Sequence, residues 1–331
     1  MGAEFSLGLV SVLLLVLAAE FVNGWTDAPN AIATVVSTRV LSPRKAVLLA
    51  TILNIAGTFS GTAVAVTVGK GIVESSVINL TTIGAAMVAI VTWSTLAWRF
   101  GLPTSESHAL VSGLAGAGLA TAGPGVLLWI GWQKVFMGLF FSTFLGFLGG
   151  WLIILSVFRL FWQATPGRIR KLFGKLQLLS AAFMAFGHGS NDGQKFIGAF
   201  TLALVLGGVL PEFKVPIEVI ILCSVVMGLG TSVGGWRIIK TMGMKMVHLE
   251  PYQGFAAETG AALTIQFASV LGIPLSTTHT ISTAIMGAGA AKRFSAVRWG
   301  VVREVVLAWI LTFPVCGAIG WCVAYLFQRI F

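Results

Sequence analysis

Charge is scarce in this 331-residue sequence, and acid scarcest of all. Charged residues make up 10% of the chain, against about 25% in soluble domains. Hydrophobic residues make up 56% and the mean hydropathy is +0.93. Together these values exclude a soluble globular enzyme and a disordered chain. Cysteine is nearly absent: Cys223, Cys316 and Cys322 are an odd count set in apolar stretches, so they read as small hydrophobes, not as a disulfide framework or a metal site. The formal net charge is +10, but no interleaving of basic and aromatic residues accompanies it, so nucleic acid is not an expected partner. What remains is an all-α polytopic membrane protein. At roughly 20 residues per crossing, the length holds about ten crossings and no sizeable soluble domain.

The surplus of Lys and Arg sits in a few connections: Arg39, Arg44 and Lys45; Arg168, Arg170, Lys171 and Lys175; Arg237, Lys240 and Lys245; Lys292, Arg293, Arg298 and Arg303. Other connections are nearly neutral, with Lys70 beside Glu74 and Lys214 between Glu212 and Glu218. Basic clusters between apolar spans mark cytoplasmic loops. The first apolar stretch, 3–22, lacks a basic leader and a small-residue cleavage site, and is expected to be a retained span.

Two motifs recur in the same order. FVNGWTDAPNAIA (21–33) aligns with FGHGSNDGQKFIG (186–198) at an offset of 165, and GLPTSESHALVSGLAGAG (101–118) aligns with GIPLSTTHTISTAIMGAG (272–289) at an offset of 171. The chain reads as a duplication, with a first transmembrane repeat over 1–162, a basic cytoplasmic connection over 163–175 and a second repeat over 176–331. Five crossings per repeat place all four basic clusters on one face. The expected fold is therefore an inverted-topology repeat of two five-crossing halves with broken or re-entrant helices. Its basic loops are cytoplasmic, both termini are extracytoplasmic, and it sits in the cell membrane.

The chain contains two aspartates, Asp27 and Asp192, and the repeat aligns them with each other. A carboxylate at membrane depth costs a few kcal/mol or more. Irregular backbone there is tolerated only where it is buried in protein or lines a wet cavity. Read as broken helices paired across an inverted repeat, the two motifs point to a transporter binding site near the bilayer midplane. A pair of interfacial turns in which each Asp caps the next helix is the plainer alternative.

The second motif pair supplies hydroxyls. Ser105, Glu106, Ser107 and His108 follow Gly101-Leu102-Pro103, and Ser276, Thr277, Thr278 and His279 follow Gly272-Ile273-Pro274. Proline ends the preceding helix, so the next helix is expected to begin around 107–109 and 278–280. A helix N-terminus flanked by hydroxyls can hold an anion, although a single copy would be ordinary N-capping. His108 and His279 close the motifs at matching positions and suit a proton relay or an anion contact, or a structural hydrogen bond. Lys195, whose counterpart is Asn30, could pair with Asp192 or attract an anion. His188 aligns with Asn23 and reads as local scaffold. Glu258 lies in an otherwise apolar span, and its counterpart is Met87.

NGWTDAPNAIAT and HGSNDGQKFIG resemble the duplicated GANDVANA-type signature of the PiT inorganic phosphate transporters, and the two Pro-Ser/Thr-His motifs resemble that family's second repeated motif. The resemblance covers nearly the whole chain. It implies a phosphate symporter coupled to Na⁺ or H⁺, with no other cofactor, no enzymatic activity, and a homodimer in the bilayer. By position it implies that Asp27, Asn30, Asp192 and Glu258 serve the coupling cation and charge compensation, with Na⁺ at Asp27 and Asp192. It also implies that Ser105, Ser107, Ser276, Thr277, Thr278 and Asn191 contact the substrate; Lys195, read from its own chemistry, could join them by attracting the anion. Thr26, Pro29 and Gln194-Lys195 depart from the signature, which leaves the number of cation sites open.

Three rivals stand beside this reading. Sulfate or a metal–phosphate complex could be the cargo on the same scaffold; acceptor carboxylates favour protonated phosphate over sulfate. An intramembrane hydrolase built on Ser190, His188 and Asp192 is remote, because the first-repeat counterparts of Ser190 and His188 are Trp25 and Asn23. A passive channel is the third.

Overall fold

A computed structural model describes residues 6–70 and 77–330. The start of the expected 3–22 span, and Glu74 beside Lys70, lie outside them. Among the described residues the chain is helical, with one isolated β-bridge between Val247 and Val297. In order the helices are α1 (Leu7–Ser37), α2 (Pro43–Thr58), α3 (Ala63–Lys70), α4 (Leu80–Phe100), α5 (Glu106–Ala122), α6 (Trp129–Leu160) and α7 (Pro166–His188). They are followed by α8 (Gln194–Leu206), α9 (Ile217–Val233), α10 (Trp236–Lys240), α11 (Pro251–Val270), α12 (Thr277–Ala290) and α13 (Trp299–Ile330).

Among the described residues, four stretches are each long and apolar enough to cross a bilayer: Leu7–Ser37, Leu80–Phe100, Val135–Leu160 and Trp299–Arg329. A fifth would be the pair Ile217–Val233 and Trp236–Met246, bent by 58°. The protein is a multi-pass membrane protein.

The helices are not broken where the aspartates sit. Helix α1 runs unbroken through the first motif with Pro29 inside it, and α7 passes into α8 through a single π-helical turn, Gly189–Gly193. The reason is that the polar side chains of both motifs find partners on other helices, so the backbone has no need to unwind. The second motif is held in a π-turn, a device common at functional sites. The breaks fall at the Pro-bearing motifs. Gly101 (φ 70°) and Gly272 (φ 68°) take the left-handed conformation that ends the preceding helix, and α5 and α12 begin at Glu106 and Thr277, a residue ahead of the expected starts. At about 1.5 Å per residue, these 17- and 14-residue helices fall short of the roughly 30 Å apolar core of a bilayer.

The halves pack reciprocally. Helix α1 packs on α9 as α7 packs on α2, and α5 packs on α13 as α12 packs on α6. Small residues let the backbones close in. A Cβ on Gly24 would lie 2.2 Å from Met227 O, and one on its repeat counterpart Gly189 would lie 2.1 Å from Asn54 O. Van der Waals packing over such close approaches replaces the hydrophobic drive that is missing between helices in lipid.

Two apolar clusters result. One holds Leu9–Ala19 positions of α1 with α3, α4, α8 and α9; the other holds Ala31–Val35 of α1 with α7, α11 and α12. The same division separates Met184 and Ala185 from Phe196 and Ile197. Glu20 to Asn30 and His188 to Lys195 are thereby left as a polar layer between two greasy ones.

Candidate binding site between the two halves

This layer collects side chains from both repeats. Asp27 on α1 and Asp192 in the π-turn, 165 positions apart, offer carboxylate oxygens that lie with a His188 ring nitrogen within 4.8 Å of one another. All three residues are buried. Two buried carboxylates this close repel each other, and each is costly unless compensated.

The compensation differs between the halves. Asp192 receives Lys195 Nζ on Oδ1 and Thr277 Oγ1 on Oδ2 at 2.5 Å, with His188 Nε2 3.2 Å from Oδ2. Asp27 faces the hydroxyl of Thr278, 3.4 Å from both carboxylate oxygens, and no cationic side chain reaches it among the described hydrogen bonds and ion pairs. Asn30 donates to Thr277 Oγ1 at 3.3 Å and to Thr278 Oγ1 at 3.0 Å. The first-half signature therefore meets the second-half hydroxyls directly.

The two short helices aim their N-termini into this layer. Ser105 caps α5 by accepting from His108 N at 3.4 Å, and Ser276 caps α12 by accepting from His279 N at 3.2 Å. Next to the caps, Ser107 donates to Leu275 O at 2.8 Å, so the two N-terminal segments touch. His108 and His279 stack edge to face with centroids 4.7 Å apart, His108 against Phe313 and His279 against Trp309 at 3.7 Å. Trp309 in turn donates to Pro103 O at 3.0 Å, which fixes the first Pro motif.

Not every expected residue joins the centre. Asn191 turns away, donating to Ser269 Oγ at 3.0 Å and Ile273 O at 3.3 Å. Glu258 forms a cluster of its own, accepting from Thr34 Oγ1 at 2.5 Å, from Gln177 Nε2 at 3.1 Å and from Ser180 Oγ.

Other members were not singled out by sequence. Glu106 accepts from Thr26 Oγ1 at 2.8 Å and from Ser94 Oγ at 2.6 Å. It was visible within the SESH motif but aligned with a threonine, which hid its carboxylate. His188, read from the sequence as local scaffold, lies beside Asp192: Asn54 donates to Thr231 at 3.0 Å, which turns its carbonyl toward His188 Nδ1 at 3.2 Å and the far ring nitrogen toward Asp192. Asn54 carries no motif signal at all.

A buried layer of paired acids, hydroxyls and two capped helix starts, drawn equally from two halves, has the chemistry to hold an oxyanion together with a cation. The family model of the phosphate transporter family matches residues 23–167 and 162–320. The chain belongs to the phosphate transporter family. A protein of Rhizobium meliloti (strain 1021) described as a probable low-affinity inorganic phosphate transporter is 46% identical over 314 residues, 94% of each chain. One of Bacillus subtilis (strain 168) with the same description is 36% identical over 325 residues, 97% of this chain and 98% of that one. A solved structure titled the sodium-dependent phosphate transporter superposes with a TM-score of 0.88 over 98% of this chain and all of the other at 23% identity. That likeness is one of fold.

Proposed function

We propose that this transporter imports inorganic phosphate by symport with a cation, Na⁺ or H⁺, and that the cation binds at Asp27. Phosphate carries one to two negative charges near neutral pH, and an uncompensated anion in a low-dielectric interior is prohibitively costly. The N-termini of α5 and α12, with Ser107, Thr277 and Thr278, supply N–H and hydroxyl donors. The carboxylates supply acceptors for a protonated phosphate oxygen, a feature that sulfate cannot use. A cation at Asp27 offsets the charge that the anion brings.

The observation that carries this reading is the meeting of Asp27 and Asp192 within 4.8 Å, beside the hydroxyls of Thr277 and Thr278. Every one of these side chains is buried, so cargo reaches the layer only when one half moves against the other. Reciprocal packing of two repeats suits such rocking about a fixed central site in an inverted repeat with cytoplasmic basic loops. Cation and phosphate together stabilise the closed form that can reopen on the other side, which is coupling by differential stabilisation.

The test is radiolabelled phosphate uptake into proteoliposomes under an imposed Na⁺ or H⁺ gradient, with sulfate as competitor. Concentrative phosphate uptake that sulfate fails to displace is expected. Sulfate uptake without phosphate uptake overturns the cargo, and gradient-independent equilibration overturns symport.

A further inference from the structure

We infer that Lys195 is a built-in cation: its ammonium fills the position that a Na⁺ ion would take beside Asp192, so that half of the site takes none. The inference rests on the symport reading above and deepens it.

The repeat sets the comparison. Asp27 has Asn30 three residues on, and Asp192 has Lys195. Both are buried and both point into the polar layer, but they do opposite things. The amide of Asn30 bonds two threonine hydroxyls, and among the described residues no cationic side chain bonds Asp27, which faces the Thr278 hydroxyl. The ammonium of Lys195 touches three oxygens of three kinds: a carboxylate oxygen of Asp192, the hydroxyl of Ser107 at 2.5 Å and the carbonyl of Leu275 at 2.7 Å. Carboxylate, hydroxyl and backbone carbonyl are the oxygens that hard cations select in proteins. An ammonium has three N–H donors, and all three are used.

Two consequences follow for transport. With its donors spent, Lys195 has none left for the phosphate, and it acts on the anion through charge and through the oxygens it holds in place. Ser107 and Leu275 lie where the starts of α5 and α12 meet, so the ammonium also ties those two ends to the π-turn. Because it is covalently attached, its charge balances Asp192 in every state and never crosses the membrane with the cargo. The first-half aspartate is left to bind the ion that does cross.

The experiment counts cations. Purified transporter in detergent is equilibrated with radiolabelled Na⁺ at saturation, for the natural chain, for Lys195→Asn, which copies Asn30, and for Lys195→Gln as a second amide. Either amide variant is expected to bind one more Na⁺ per chain than the natural protein. Adding Asp192→Asn should abolish that extra ion. An unchanged count in a folded amide variant overturns the inference, as does an added ion that survives Asp192→Asn. Phosphate uptake by the natural chain is measured separately in proteoliposomes: its failure refutes the symport reading, whereas uptake with an unchanged Na⁺ count refutes the role of Lys195 alone.

Discussion

Asn30 of the first half donates its amide to Thr278 Oγ1 of the second at 3.0 Å, and that same hydroxyl faces both carboxylate oxygens of Asp27 at 3.4 Å. One threonine hydroxyl thus ties the first-half signature to the second-half Pro motif, 248 residues on from Asn30 in sequence. Removing it without changing side-chain size should leave the buried acid of Asp27 without its hydroxyl partner and Asn30 with Thr277 Oγ1 alone. Leaving such a group unsatisfied costs about 1–3 kcal/mol. Thr278→Val is expected to lower phosphate uptake about tenfold or more, the equivalent of about 1.4 kcal/mol. Thr278→Ser should retain most of the rate, and initial uptake rates in proteoliposomes of matched protein content check both.

The crossing of α2 and α7 makes a prediction about stability. A methyl on Gly57 would lie 2.1 Å from Phe186 O, a separation that real side chains do not reach. Gly57→Ala must push two closely packed helices apart, at a cost of about 1–3 kcal/mol for overpacking. Its melting temperature in detergent should fall by several degrees. Gly167→Ala, where nothing lies within 4 Å, should melt as the natural chain does.

Trp309 links α13 to the first Pro motif through Pro103 O at 3.0 Å and covers His279 at 3.7 Å. Trp309→Phe keeps one aromatic ring but loses the N–H, worth about 0.5–1.5 kcal/mol, together with the packing of the second indole ring. Uptake should fall severalfold through misplacement of the α5 N-terminus. His108→Gln removes one ring of the stacked pair, and a proton-relay role for that pair predicts loss of H⁺-driven uptake with phosphate binding retained. Uptake driven by a pH step, compared with equilibrium phosphate binding, separates the two effects.

Glu258 is held by hydroxyls of Thr34 and Ser180 and by the amide of Gln177, away from the paired aspartates. A carboxamide can still accept from one of these groups. Glu258→Gln should therefore fold, and its melting temperature should stay within a few degrees of the natural value. If Glu258 serves charge compensation, the cation dependence of uptake will weaken while the melting temperature does not, and a cation titration of uptake measures this.

The amino-acid pattern made much of this arrangement legible. Two aspartates in a chain of 331 residues, aligned by a duplication, do meet, and the hydroxyls after Pro103 and Pro274 do open short helices. Local backbone was harder to read. The Asp27 motif, with Gly24, Pro29 and several polar residues, carries every sign of a broken helix, yet α1 runs through it. The partners that satisfy it, Glu106, Thr277 and Thr278, come from far along the chain, and no local pattern announces them. Glu106 was obscured because its repeat position holds Thr277, and Asn54 because nothing near it recurs. Contacts that the two halves exchange as reciprocal pairs could be read from the repeat, but contacts unique to one half could not. Lys195 lies between these cases: sequence marked the departure from Asn30, and only the three oxygens around its nitrogen say what replaced it.

The central claim is that the first-half aspartate couples a cation to phosphate. Asp27→Asn, reconstituted beside the natural chain, tests it most directly when initial phosphate uptake is measured as a function of the imposed Na⁺ or H⁺ gradient. The account predicts steep gradient dependence in the natural chain, and loss of both that dependence and concentrative uptake in the variant. Uptake by Asp27→Asn with an unaltered gradient dependence would contradict it.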